Sequence, residues 1–419
     1  MFKYYLSKII PFSILPIAVL SVQRFSYSPI GSTSVWWLVE ILILMLFGIA
    51  SFVLFESENR RYILIFQLYL VWNIFSIVRG FFAAETYWDY KGLVENTLAL
   101  LLPVVVFAAT NRRILQSILS FYMKYVLIFA IVVFPFLPLG AWGWYLFPVS
   151  FLLLFFPVFQ IQWKSLLLVI ALIAMFADIS SRSLIFKFGI PLLLLFFYYF
   201  RAFPEAVRIL KFSRVVFLFA PFVLFFLAVS GIFNVFQINE YFKVEGNTGK
   251  QSLNEDSRTF IYKEVLESAQ KYNYWWLGRT PARGNETVAF ADAVTEVGMR
   301  RERLRNEANI PNVFTWNGII GVILYFLIFY KASSLAVYKS NNIFSKLIGV
   351  FIAFRWLYSW IEDFYVFNLN NFVIWLMIGI CFSESFRRMN NLEVKLWARA
   401  IFQKRYLEAY RVFVLKLTP

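Results

Sequence analysis

Apolar runs recur along the whole 419-residue sequence and constrain its fold more than any other feature. Each run has about the length that crosses the hydrocarbon core of a bilayer as a helix, roughly 20 residues. The pattern predicts an all-α integral membrane protein with about twelve transmembrane helices. The runs cover residues 8–22, 35–55, 62–78, 93–110, 116–138, 142–160, 164–178, 184–200, 213–233, 313–330, 343–360 and 371–386.

The composition supports a bilayer as the main solvent. Hydrophobic residues make up 61% of the chain and charged residues 15%, whereas soluble domains are about half apolar and a quarter charged. The net charge of +16 indicates basic loops facing anionic lipid rather than a nucleic-acid partner. The absence of histidine excludes haem ligation, Ser-His hydrolase chemistry and most zinc sites. The single cysteine, Cys381, excludes an intramolecular disulfide.

The distribution of basic residues predicts the orientation. Alternate short loops are rich in Lys and Arg, so these loops and both termini are predicted to be cytoplasmic. The first apolar run could be either a signal peptide or a membrane helix. We interpret it as an uncleaved helix because no cleavage site follows it. The division of residues 142–178 into two helices depends on a very short connection. The basic loops hold Arg60 and Arg61; Arg112 and Arg113; Lys164; Arg201, Arg208, Lys211 and Arg214; and Lys331, Lys339 and Lys346.

Four regions follow from this topology. Residues 1–233 hold helices one to nine, residues 234–312 form one large extracytoplasmic loop, and residues 313–388 hold helices ten to twelve. The loop is predicted to contain short helices at 257–272 and 287–305. The basic tail, 389–419, is predicted to be an amphipathic helix on the inner leaflet, with a solvated tail as the alternative.

Arginines on the extracytoplasmic side are the first candidates for binding residues, because they oppose the charge bias of insertion. A guanidinium group offers a planar fork of donors that fits phosphate. Several around one cavity are suited to a lipid-linked pyrophosphate or another polyanion. The alternatives are contacts with lipid headgroups or ion pairs with loop glutamates. The main candidates are Arg79, Arg182, Arg258 and Arg279.

Carboxylates are the candidates for catalysis. Without histidine, a general base on the outer side must be Asp or Glu, and Glu307, Glu362 and Asp363 lie beside the predicted re-entry helices. Each of them can equally serve as a counter-ion for an arginine. No DxD-type spacing appears, so neither a metal nor any other cofactor is predicted.

Three segments resemble the bacterial O-antigen polymerase and ligase superfamily. The loop opens with EDSRTFIYKEVLESAQKYNYWWLGR and closes with RNEANIPNVFTWNGIIGVILYF. Upstream, VRGFFAAETYWDYKGLVENTLALLLP is similar to an Arg-Gly and aromatic-Asp-aromatic segment of polymerases. The layout, with one large outer loop before the last three helices, is also similar to that superfamily.

The resemblance implies a metal-independent glycosyltransferase of the bacterial inner membrane. It would polymerise undecaprenyl-pyrophosphate-linked oligosaccharide repeat units, with a chain-length regulator protein as a further partner. Arg79, Arg182, Arg258 and Arg279 would stabilise the departing pyrophosphate, and a carboxylate would deprotonate the incoming hydroxyl.

One departure separates the branches of this superfamily. The ligase branch has a histidine near the end of the loop, where this chain has Glu307. The sequence therefore favours a polymerase, with Glu307 as the preferred base. Gly278 lies twenty residues after Arg258, which departs from the usual spacing in the family. A ligase and a lipid-linked oligosaccharide flippase stay as alternatives, although the chain lacks the two matching halves common in transporters.

Overall fold

A computed structural model describes residues 1–27, 31–55, 57–177, 182–230, 257–296, 298–403 and 405–409. The side chains of residues 57, 58, 182, 257, 258 and 293 are outside this description. The first five helices each have the length and apolarity to cross a membrane. They are α1 Phe2–Gln23, α2 Thr33–Val53, α3 Leu64–Ala83, α4 Tyr87–Ala109 and α5 Arg112–Phe136.

The remaining elements include two more helices of that kind, α10 and α13, so seven occur in the described part of the chain. The prediction of an all-α membrane protein is confirmed. In order, the elements are α6 Leu139–Tyr145, α7 Pro148–Leu153, α8 Ile161–Phe176, α9 Arg182–Tyr199, α10 Pro204–Val229, α11 Ser257–Tyr272, β1 Asn285–Glu286, α12 Ala291–Glu296, β2 Glu302–Arg303, α13 Asn309–Tyr338, α14 Ile343–Tyr358, α15 Leu369–Phe382, α16 Glu384–Arg387 and α17 Asn391–Ala400.

The apolar run at 142–160 is not one helix, as the sequence predicted. It contains the end of α6, the short α7 and a 3₁₀ turn at Phe156–Val158. Pro148 begins α7 and Pro157 lies in the turn, and a proline removes one backbone donor and clashes with the preceding turn of a helix. All six residues of α7 are buried, so this segment belongs to the protein core.

The core surrounds α15, in which every residue is buried. It packs against the second half of α4, α13, α14 and α1. Helices α2 and α10 are different, because only 22% and 17% of their most apolar windows are buried. Their exposed leucines, valines and phenylalanines are the surface that a bilayer would solvate.

One end of the bundle, here called the tail end, gathers several of the predicted basic loops with the C-terminal region. The Arg61 guanidinium lies 2.9 Å from the Glu384 carboxylate, and Arg399 Nε donates to the Val158 carbonyl at 2.7 Å. Helix α17 packs here through buried Val394 and Trp397. The predicted tail thus has a helix at 391–400 whose Val394 and Trp397 pack against protein, and residues 404 and 410–419 of the tail lie outside the described residues.

The opposite end, here called the loop end, gathers several of the alternate connections. Tyr27 N–H donates to the Phe136 carbonyl at 3.2 Å, and Ile310 N–H donates to the Ser359 carbonyl at 3.1 Å. Successive connections between the helices thus lie alternately at the tail end and at the loop end of the bundle.

The described part of the large loop lies at this same end. The helix predicted at 257–272 is confirmed as α11. The helix predicted at 287–305 is wrong, because among the described residues of that range only Ala291–Glu296 is helical. Strands β1 and β2 pair instead as an antiparallel hairpin. Between them Gly298 takes a positive φ of 73°, which does not continue a helix.

Candidate functional site

Helix α13 is broken at Gly318, where φ is 67° and ψ is −170°. The turn around Gly278, which also has a positive φ, enters this break. A Cβ on Gly318 would lie 2.2 Å from the Trp276 carbonyl oxygen, and one on Gly278 would lie 2.5 Å from the Asn317 nitrogen. Only glycine fits at either position. We call this contact between Gly278 and Gly318 the glycine crossing.

The loop supplies hydrogen bonds that the break removes from α13. Arg279 N–H donates to the Thr315 carbonyl at 2.6 Å, and Ile319 N–H donates to the Trp275 carbonyl at 2.8 Å. A buried backbone group without a partner costs about 1–3 kcal/mol. These bonds therefore make the loop turn a structural part of the helix.

Two of the predicted pyrophosphate-binding arginines lie at the glycine crossing. Arg79 donates from Nη1 to the Leu277 carbonyl at 2.8 Å and from Nη2 to the Gly278 carbonyl at 3.0 Å. Arg279 donates from Nη1 to the Gly284 carbonyl at 2.7 Å and from Nη2 to Glu302 at 3.0 Å. The guanidinium groups of both arginines thus hydrogen-bond to protein atoms.

Glu302 is the counter-ion of this region. Arg283 binds it with two hydrogen bonds, Nε to Oε2 at 3.0 Å and Nη2 to Oε1 at 2.5 Å. Burial raises the pKa of Glu302, but hydrogen bonding from Arg283 and the charges of Arg279 and Arg283 outweigh that effect. The net pKa lies below the usual value for a glutamate, so this carboxylate is ionised at neutral pH.

A polar cavity of about 470 Å³ opens at the loop end beside this region. Four charged side chains line it: Arg24 after α1, Glu40 of α2, Glu95 of α4 and Arg305 after β2. Trp36, Trp37, Gln23, Asn368 and several small polar residues complete the wall. The loop between α1 and α2, the large loop and the connection from α14 to α15 all contribute to it.

The two cations of the polar cavity have different partners. Arg305 lies 3.2 Å from Asp363 Oδ2 through Nε and donates from Nη2 to the Tyr365 carbonyl at 2.6 Å. Arg24 lies over the rings of Phe25 and Trp144, at 4.6 and 5.6 Å. Within the described residues Arg24 has no carboxylate within ion-pairing distance.

The two carboxylates of the cavity lie on membrane-spanning helices. Glu40 is only 8% exposed and makes no hydrogen bond or ion pair in the part of the chain that the structure describes. Sequence reasoning did not single it out. The available signal was that Glu40 is the sole charged residue of α2, since ionisable residues inside membrane helices are costly and usually functional.

The predicted catalytic carboxylates lie behind or outside the cavity wall. Glu307 is 54% exposed and accepts from Arg303 at 3.2 Å. Asp363 pairs with the cavity residue Arg305, and its backbone N–H donates to the Glu307 carbonyl at 2.7 Å. Burial raises the pKa of Asp363, and the charge of Arg305 opposes that rise. The structure therefore brings Asp363 and Glu307 together, with Asp363 joined to the cavity through Arg305.

Glu362 belongs to a separate buried group. Its Oε1 lies 2.5 Å from Lys187 Nζ, and the Lys187 side chain is almost fully buried. Fully buried Arg355 donates to Asn370 at 3.3 Å.

The side chains of the two other predicted arginines, Arg182 and Arg258, lie outside the described residues. The backbone of Arg182 begins α9, and that of Arg258 lies in the first turn of α11.

An apolar groove of about 430 Å³ lies between α10, α11 and the end of α14. Its walls are almost wholly apolar, with Lys263 and Glu267 at one edge. Trp360 and Ile361 line the groove and immediately precede Glu362 and Asp363. The connection from α14 to α15 thus separates the apolar groove from the polar cavity.

Within the described residues, no group of three or more histidine, cysteine or carboxylate side chains is placed to hold a metal ion. No protein-family model matches this chain, and no curated protein matches it in sequence.

Proposed function

We propose that this protein is a membrane glycosyltransferase that polymerises oligosaccharide repeat units carried on a lipid pyrophosphate. The carrier would be undecaprenyl pyrophosphate and the location the outer side of the bacterial inner membrane. The observation that carries the proposal is the polar cavity, in which two arginines and two carboxylates face open space beside an apolar groove. This combination suits a substrate with an anionic head, sugar rings and a long hydrocarbon chain.

Arg24 and Arg305 are the groups best placed to hold the pyrophosphate. Charge-assisted hydrogen bonds from guanidinium to phosphate are short and about twice as strong as neutral ones. Arg24 has no carboxylate partner among the described residues, so its charge is available to a ligand. In glycosyl transfer, negative charge develops on the leaving phosphate, and fixed cations beside it lower the barrier.

The apolar groove would hold the hydrocarbon chain of the carrier. Burial of apolar surface is favourable by about 25 cal/mol per Å². Only Glu362 separates Ile361 of the groove from Asp363, which contacts Arg305 of the cavity. In this proposal the head of the lipid lies in the cavity and its chain lies in the groove, on either side of the connection from α14 to α15.

The sugar would lie against the remaining cavity wall. Trp36 and Trp37 offer flat apolar faces, and Gln23 and Asn368 offer amide donors and acceptors. Aromatic faces combined with amides and carboxylates match the mixed apolar and hydroxyl surfaces of a pyranose ring.

The topology also supports this proposal. Successive connections lie at two ends, as an alternating series of crossings would need, and in the proposal of about twelve crossings the broken segment 142–160 counts as one. With the basic tail end in the cytoplasm, both termini are cytoplasmic and the loop end, with its cavity, lies outside. Lipid-linked repeat units are then polymerised on that side.

The decisive experiment is deletion of the gene in its native host, followed by gel analysis of the surface polysaccharide. Loss of the ladder with a single unit still attached would establish a polymerase. Accumulation of lipid-linked polymer would indicate a ligase, and accumulation of inward-facing lipid-linked units would indicate a flippase. An unchanged profile would contradict all three.

Complementation links this result to the polar cavity. We expect Arg305→Ala and Arg24→Ala to leave the ladder missing, whereas Arg113→Ala should restore it. Arg113 is the matched control because it is exposed at the start of α5, at the tail end.

A further inference from the structure

We infer that Glu40, which lines the polar cavity together with Glu95, accepts the proton of the attacking sugar hydroxyl. This inference rests on the proposed polymerase function and names its base. Glu40 replaces Glu307, the candidate that the sequence favoured, because Glu307 is half exposed and held by Arg303.

The first observation is the position of Glu40 itself. The residue lies in an otherwise uncharged apolar helix, is more than nine-tenths buried and borders the cavity. No side chain among the described residues hydrogen-bonds to it or pairs with it. A buried carboxylate without a partner is unfavourable, and a ligand in the cavity would supply the missing partner.

The second observation is the set of charges around Glu40. Glu95 lines the same cavity from α4, and Arg305 lines it from the large loop. Arg24 lines the same cavity from the end of α1, and Asp363 lies behind Arg305. Both carboxylates border the space in which the acceptor hydroxyl would lie, so one can accept its proton and the other can pass it to water.

The acceptor hydroxyl oxygen attacks the anomeric carbon of the donor chain, and the bond between that carbon and the phosphate oxygen breaks. The electron pair of that bond stays on the pyrophosphate, which Arg24 and Arg305 face. The hydroxyl proton moves to the Glu40 carboxylate and leaves through Glu95 to water. No oxidant, metal or nucleotide is needed.

The test uses the full-length protein in lipid nanodiscs, with lipid-linked repeat units extracted from the deletion strain as substrate. We expect Glu40→Gln to lower kcat at least 100-fold and Glu40→Asp to recover part of it. Farnesyl pyrophosphate, used as a probe of the head-binding site, should raise the Tm of Glu40→Gln as much as that of the wild type. The acidic limb of the pH–rate profile should disappear in Glu40→Gln.

The control is Glu205→Gln, an exposed glutamate in the first turn of α10, which should match the wild type. Wild-type kcat in Glu40→Gln, with activity lost in Glu307→Gln, would overturn the inference and leave the polymerase proposal intact. A wild-type protein that makes no polymer would instead contradict the polymerase proposal.

Folding is monitored by gel filtration of each variant. Should Glu40→Gln fail to fold, Glu40→Asp and Glu95→Gln decide the question. Lower kcat at unchanged KM in both supports the inference, and wild-type kcat in both overturns it.

Discussion

The arginines at the glycine crossing and the arginines at the polar cavity have different surroundings. At the crossing, Arg79, Arg279 and Arg283 are hydrogen-bonded to carbonyl oxygens or to Glu302. At the cavity, Arg24 faces open space without a carboxylate partner among the described residues. The partners of the first group are supplied by the fold, whereas the exposed Arg24 has its charge available to the ligand that we propose. Arg305 is intermediate between the two, because it pairs with Asp363 at 3.2 Å and also lines the cavity.

The largest expected effect is at the crossing. Gly318→Ala would place a Cβ 2.2 Å from the Trp276 carbonyl oxygen at a positive φ. We expect a loss of roughly 2–5 kcal/mol of stability, seen as a lower Tm and a lower yield in detergent. Gly48→Ala is the matched control, because its Cβ would meet nothing within 4 Å. Equal Tm values for the two variants would contradict the crossing.

Next in size is the loss of a structural arginine. Arg279→Ala would leave Glu302, whose side chain is 10% exposed, with Arg283 as its main partner. We expect a cost of about 2–4 kcal/mol in thermal unfolding of the full chain. Arg24→Ala should change the Tm very little. The reverse result would be an Arg279→Ala variant that stays stable but no longer binds farnesyl pyrophosphate. That result would show that Arg279 binds the pyrophosphate instead of stabilising the fold.

Arg24→Ala is expected to change the free energy of ligand binding, by less than the stability changes above. Loss of one charge-assisted hydrogen bond to phosphate costs about 1.5–3 kcal/mol, which is roughly a 10- to 100-fold weaker affinity. Titration calorimetry with farnesyl pyrophosphate in nanodiscs measures it, with Arg113→Ala as the control. Unchanged affinity would remove Arg24 from the proposed site.

The smallest effect concerns pH. Because the pKa of Glu302 is lowered in the folded protein, its contribution to stability is complete above the ordinary value of about 4.3. That contribution is lost as the pH falls further, toward the folded-state pKa. The difference in Tm between the wild type and Glu302→Gln should therefore narrow on acidification. A constant difference from pH 7 to pH 3 would mean that the ion pairs of Glu302 contribute little.

The sequence predicted the helical membrane fold well, because long apolar runs report directly on burial in lipid. It failed at 142–160, where apolar residues fill the protein core instead of facing lipid, and where Pro148 and Pro157 interrupt the helix. Hydropathy does not distinguish these two apolar environments.

The candidate site was less predictable. Arg79 and Arg279 were visible as outer arginines, but their partner carbonyls depend on how the loop turn enters α13. Arg24 and Glu40 meet Arg305 only after distant segments pack together. Only the isolated charge in α2 could have indicated Glu40 beforehand.

The glycine crossing also has a consequence for biosynthesis. The turn at 275–279 leaves the ribosome before α13, which it completes with backbone hydrogen bonds. Until that turn has docked, α13 has unpaired amide and carbonyl groups that lipid cannot satisfy. Final integration of α13 into the membrane therefore depends on correct folding of the loop. A chain with a misfolded loop would present an incomplete helix to membrane quality control.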